Sequence, residues 1–123
     1  MQVISGWKLP REARRNLLER FPPRYEQVVA DHVTHRYDAG NVPLRHETSG
    51  EIVGEANDGQ GVQALVVCIG GTTDRGDGSR YHITWSLGKD RRAVESNDVI
   101  KAIAWTAISP AISVELQPEK WQG

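Results

Sequence analysis

Three of the four histidines in this 123-residue chain are followed two positions later by threonine. They form His32-Val33-Thr34, His46-Glu47-Thr48 and His82-Ile83-Thr84. In a β-strand, residues i and i+2 leave the same face about 6–7 Å apart, and the residue between them points the other way. The first and third motifs therefore each present an imidazole and a hydroxyl to one side and an apolar side chain to the other. Two such strands brought together would gather two imidazoles and two hydroxyls around a phosphate-sized volume. Imidazole titrates near neutral pH, so one ring can take a proton from water while the other protonates a departing oxygen. Thr34 and Thr84 would donate hydrogen bonds to the non-bridging oxygens, where charge grows in the transition state. The predicted catalytic set is His32, Thr34, His82 and Thr84. His46-Glu47-Thr48 has a charged centre and sits between Pro43 and Gly50 with no strand pattern, so it reads as a loop coincidence.

Alternation extends the set. Arg36 shares parity with His32 and Thr34, while Arg80 and Ser86 share it with His82 and Thr84. An arginine beside a phosphate supplies charge and several donors, although a strand-end arginine reaching into solvent accounts for Arg36 equally well. Arg75, inside the glycine-rich run Gly70–Ser79, is a candidate to close over a substrate, although a loop arginine with no partner is the commoner case. Tyr81 and Trp85 point towards the core, so an aromatic that stacks on a base must come from elsewhere, with Tyr25 or Trp7 as candidates. His32 and His35 form an H-x-x-H pair, but on a strand they leave opposite faces. With no suitably spaced cysteine or carboxylate, no metal site is expected. His35 is expected as a hydrogen-bonded residue under the first helix. Gly76-Asp77-Gly78 lacks both the phosphate-loop and the dinucleotide frames and reads as a turn.

The paired motifs His32-Val33-Thr34 and His82-Ile83-Thr84 resemble those of the two-histidine (2H) phosphoesterase superfamily. That group includes RNA 2′,3′-cyclic phosphodiesterases and the cyclic phosphodiesterase domain of fungal and plant tRNA ligases. The resemblance implies a bilobal α+β fold with antiparallel sheets, a helix packed on each lobe and both motifs lining a central cleft. It also implies catalysis without metal or other cofactor, on a small nucleotide or an RNA end carrying a cyclic phosphate. His35 stands where the superfamily has a small or aliphatic residue.

The elements that must position these groups follow from periodicity. Gln2–Trp7 reads as a strand, and Pro10 then opens an amphipathic helix over Arg11–Phe21, with Ala13, Leu17, Leu18 and Phe21 on its buried side. Pro22-Pro23 end it. Strands are expected over Val28–Tyr37, Glu51–Ala56, Val62–Ile69 and Tyr81–Leu87, with a hairpin turn at Asn57–Gly61. Leu44–Ser49 carries no clear pattern, and Gly70–Ser79 is expected as a mobile loop. Ser96 caps a helix expected over Asn97–Ala107. A last strand follows over Ile112–Leu116, with Trp121 folding back as a lid on the core. The order is β-α-β-β-β-β-α-β in a single domain, 1–123.

Composition bounds the partners. A formal net charge of −1 gives no extended nucleic-acid-binding surface. The lone Cys68 lies in an apolar run and reads as a buried thiol. No apolar segment is long enough to span a bilayer and no signal pattern opens the chain, so a cytoplasmic monomer is expected. The alternative to an enzyme is a non-catalytic module that binds a nucleotide or RNA end in the same cleft.

Overall fold

The computed structural model describes residues 2–37, 40–102 and 105–122. Over these residues the chain runs β1 (Val3–Lys8), α1 (Arg11–Arg20), β2 (Gln27–Val28), β3 (His32–Arg36), β4 (Ser49–Asn57) and β5 (Val62–Cys68). It continues through β6 (His82–Leu87), α2 (Glu95–Ala102), β7 (Thr106–Glu115) and β8 (Gln117–Gln122). The strands build two antiparallel sheets, ordered β3-β1-β8 and β2-β6-β5-β4-β7. With two helices against them, the class is α+β. Among the described residues no helix is long and apolar enough to cross a membrane.

Alternation sorts the side chains into two clusters. Trp7 and Val33 pair across β1 and β3, and Leu65 and Ile83 across β5 and β6. All four are buried, and with Ile52, Val67 and Trp85 they form a core shared by both sheets, to which α1 adds Leu17. Each buried indole also finds an acceptor. Trp7 Nε1 donates to the Glu47 carbonyl at 3.0 Å and Trp85 Nε1 to the Phe21 carbonyl at 2.7 Å. Truncating either to alanine would cost about 3–5 kcal/mol. The other face of the larger sheet carries Ala56, Val62, Ala64, Val66 and Leu87 against Val99 and Ile100 of α2.

The expected single strand over Val28–Tyr37 is divided between the sheets. Gln27 and Val28 pair with Leu87 and Ser86 of β6. The pairing continues as the Val29 and Ala30 amides donate to the Trp85 and Thr84 carbonyls at 2.9 and 3.0 Å. Ala30 then adopts a left-handed φ of 43°, and the next carbonyl, of Asp31, accepts from the Leu9 amide. From His32 onward the chain pairs with β1. The Ala30 carbonyl accepts from Arg14 Nε of α1 at 2.8 Å, and that of Val29 from Arg14 Nη2 at 3.4 Å. One helix side chain thus holds the point where the chain changes sheets.

The His-x-Thr motifs of β3 and β6 are each succeeded by a bulge. One step along β1, Ser5 to Gly6, matches two along β3, Arg36 to Thr34. One step along β5, Gln63 to Ala64, matches two along β6, Ser86 to Thr84. An extra residue moves the side chains beyond it to the opposite face. Glycine is required at the first of these places, because a Cβ on Gly6 would overlap the Val33 carbonyl.

Several expectations are corrected. The helix expected to reach Ala107 ends at Ala102 within the described residues; 103 and 104 lie outside them, and Thr106 and Ala107 pair with Glu55 and Gly54. The strand ladder along β4 outcompetes helical propensity there. Of the expected strand Ile112–Leu116, residues 112–115 are the end of the longer β7, an edge strand that tolerates Pro110, and Leu116 falls between β7 and β8. The run Gly70–Ser79 is tied by backbone bonds between Ile69 and Thr72 and from the Arg75 amide to the Ser79 carbonyl. Trp121 is a β8 residue opposite Ile4 and not a lid on the core. Cys68 is half-buried. His35 is not under the first helix. Its ring lies between Trp7 and Tyr81, with centroids 6.0 and 6.3 Å away, and its Nε2 accepts from Arg45 Nη1 at 3.2 Å.

Two measurements check these assignments. Gly6→Ala should cost about 1–3 kcal/mol through overpacking, read as a lower denaturation midpoint. Burial, helped by the charges of Arg45 and Arg36, lowers the pKa of His35. The unfolded chain therefore binds a proton below about 6.5 that the folded chain refuses. Stability should fall as pH drops through about 6.5 and continue falling to the depressed folded value. In thermal melts between about pH 7.5 and 5.5, His35→Gln should flatten that slope.

Candidate active site

Where β3 and β6 approach one another, His32, Thr34, His82 and Thr84 all line one cavity of about 70 Å³. The sheet change at Ala30 brings the two strands there, because it carries the chain from pairing with Thr84 to the start of β3 within two residues. Arg75 and Tyr37 also contribute to the wall, as do Ala93, Val94 and Asn97 around the start of α2. His82 and Thr84 sit opposite Val66 and Ala64, on the α2 side of the larger sheet. His32 and Thr34 sit opposite Lys8 and Gly6, away from the Trp7–Val33 core face.

Each imidazole is anchored through Nδ1. His82 Nδ1 lies 2.9 Å from the Arg80 carbonyl. A carbonyl can only accept, so Nδ1 carries the proton and Nε2 keeps its lone pair. His32 Nδ1 lies 3.0 Å from Asp31 Oδ2, which selects the same tautomer. Asp31 is itself held by Lys8 Nζ at 2.7 Å. Burial alone would raise the Asp31 carboxyl, but the bonds and charges of Lys8 and His32 hold it below its ordinary value. Trp121 meets the His32 ring edge to face at 5.0 Å between centroids, and Lys8 Nζ stands 4.5 Å from that indole. His82 is pushed down, first by burial and then by the nearby charges of Arg75 and His32, against the Arg80 hydrogen bond, which raises it. Among the described residues neither Nε2 has a protein partner.

The hydroxyls differ. Thr34 makes no side-chain hydrogen bond among the described residues, whereas Thr84 Oγ1 is 2.9 Å from Ser96 Oγ and donates to the Ala93 carbonyl at 3.3 Å. That link ties β6 to the start of α2. Arg75, from the glycine-rich run, is 7% exposed and is the cation in the cavity wall. Its guanidinium donates to Asp77 at 2.8 Å and lies over the Tyr37 ring at 5.9 Å. Those bonds from Arg75, reinforced by Ser79, hold the Asp77 carboxyl far below the usual range.

Four expected substrate contacts lie elsewhere. Ser86 falls beyond the β6 bulge, on Gln63's face, where its hydroxyl donates to Gln63 Oε1 at 2.5 Å and accepts from the Arg24 and Tyr25 amides. Arg36 falls beyond the β3 bulge, pairs with Ser5 and is exposed. Arg80 donates to Thr73 Oγ1 at 2.7 Å and lines a neighbouring cleft instead. Tyr25 hydrogen-bonds Asn57 at 2.5 Å and fastens the loop after α1. Trp7, the other stacking candidate, is fully buried. His46 is exposed, and Glu47 is engaged by Arg45, whose hydrogen bonds lower its carboxyl to about 2.

Sequence reasoning alone misses Asp31, Tyr37, Asn97 and Trp121 as members of the site. The carboxylate directly before His32 is the one available signal, because Asn97 and Trp121 reach the site only through tertiary contacts. Among the described residues no three His, Cys, Asp or Glu side chains are grouped as a metal site. Comparison with protein-family models, curated proteins and solved structures gives no match, so the functional reading of this chain stands on the geometry of its own residues.

Proposed function

We propose that this chain is a metal-independent phosphodiesterase that opens a 2′,3′-cyclic phosphate on a small nucleotide or an RNA end. One observation carries the reading. Two imidazoles, each fixed through Nδ1 and each with an Nε2 that has no partner among the described residues, line one phosphate-sized cavity with Thr34, Thr84 and the buried Arg75. Two sheets that each lend one His-x-Thr strand to that cavity also support the bilobal 2H-like arrangement.

In this reading neutral His82 is the base, since burial disfavours its charged form. Its Nε2 takes a proton as a water oxygen attacks phosphorus. The bond from phosphorus to one ribose oxygen breaks, and that oxygen takes a proton from Nε2 of His32. His32 enters the step as the imidazolium, protonated at both nitrogens, with Nδ1–H donating to Asp31. Solvent then restores both rings. Thr34 and Arg75 stabilise charge on the non-bridging oxygens, as preorganised donors do. Asp31 and Trp121 set the angle of His32, and Lys8 keeps Asp31 ionised.

His82→Ala should lower kcat for 2′,3′-cyclic nucleotides by about 10²–10⁴-fold while the protein still binds the nucleotide product, measured in EDTA, which should leave wild-type turnover unchanged. A protein that binds nucleotides but never turns them over would instead be a non-catalytic module with the same cleft. The base must be neutral to act, so kcat/KM should fall with acidification only as pH passes through the His82 pKa, below about 6.5. An acidic limb above that value would assign the base elsewhere.

A further inference from the structure

The 70 Å³ cavity has room for a phosphoryl group and little else, yet it shares two wall residues, Arg75 and Asn97, with a cleft of about 460 Å³. That volume lies within the roughly 300–1,000 Å³ range of ligand pockets. Its walls carry three further features. Trp105 lies against Gly54, so closely that a Cβ there would overlap the indole, and with Ile100 it gives an apolar side. Arg80 and Lys101 are exposed cations, and neither forms an ion pair among the described residues. Of the two carboxylates present, Asp77 is already neutralised by Arg75, which leaves Asp98 against two cations.

Asn97 marks the junction of the two spaces. Its Oδ1 is buried and has no hydrogen-bond partner among the described residues. A buried acceptor without a donor is rare in folded proteins, and this one belongs to a side chain in both walls. A ligand with a hydroxyl next to its phosphate would satisfy it.

We infer that the larger cleft is the nucleoside subsite of an oligoribonucleotide end, an inference that rests on the proposed function for the phosphate in the smaller cavity. The base of the terminal nucleotide stacks by Trp105 and Ile100. The hydroxyl vicinal to the terminal phosphate, which opening of a cyclic phosphate releases, donates to Asn97 Oδ1. The next phosphate of the chain meets Arg80 and Lys101. The preferred substrate is therefore an RNA end of at least two nucleotides, and Asn97 is the residue that recognises the hydroxyl freed in the product.

The test is calorimetric titration of the full chain with adenylyl-adenosine carrying a terminal 2′- or 3′-phosphate, each with its vicinal hydroxyl present or removed, against the matching adenosine monophosphates. The dinucleotides should bind about tenfold tighter than the mononucleotides. The exposed-site variant Lys101→Glu should remove much of that advantage, whereas Trp105→Phe should weaken mono- and dinucleotides alike, with melting curves to confirm folding. Asn97→Ala should bring the ratio of hydroxyl-bearing to hydroxyl-lacking ligand close to one. Dinucleotides that bind no tighter than mononucleotides, or an Asn97→Ala ratio equal to wild type, would overturn the inference even if cyclic phosphates are hydrolysed. Binding that depends on these residues in a protein with no turnover would keep the subsite and discard the phosphodiesterase.

Discussion

The arrangement depends on one residue held in a conformation it would not choose. Ala30 is a buried alanine with a left-handed φ, a region that L-residues with a Cβ rarely enter. There the backbone leaves the larger sheet, and the carbonyls of Val29 and Ala30 are taken up by Arg14. Such strain persists only where its surroundings over-determine it. Here the surroundings are a helix guanidinium and ladder bonds on both sides of the change. Were the chain to continue straight, His32 would stay in register along β6 and would not cross to β1.

The two bulges refine what the sheet change permits. Each falls after the threonine of its motif, so each strand sends a short polar pair to the cavity and returns to core or ladder duty immediately beyond. Gly6 admits the first bulge because no side chain stands between β1 and the Val33 carbonyl. The hydrogen bonds at Nδ1 then convert placement into chemistry, because they decide which nitrogen of each ring can meet a ligand. One acceptor is a backbone carbonyl and the other a carboxylate, so the two rings sit in different fields despite their similar sequences.

Much of this is legible in the chain. The period-two pattern around Val33 and Ile83 locates the core faces, and it pairs His32 with Thr34 and His82 with Thr84 correctly. The same rule then misplaces Arg36 and Ser86, because alternation assumes an uninterrupted ladder and a bulge leaves little local trace in the sequence. Helix propensity carries α2 too far, since nothing before Trp105 announces that the chain will turn to pair with β4. Arg75 stands out for its loop position, but its burial and its bonds to Asp77 come from folding of the glycine-rich run. Asn97 looks like an ordinary first-turn polar residue. Only the approach of α2 to β6 brings it to the cavity wall.

The carboxylate of Asp77 has an effect beyond fastening a loop. Any anion that comes to Arg75 meets a guanidinium whose charge is already partly spoken for, with a fixed negative group close behind it. Each extra unit of negative charge on the visitor is therefore penalised by like-charge repulsion. A cyclic phosphodiester carries one charge, whereas the monoester formed by opening it approaches two at neutral pH. For the proposed reaction, the pair formed by Arg75 and Asp77 would therefore favour the singly charged substrate over the doubly charged product.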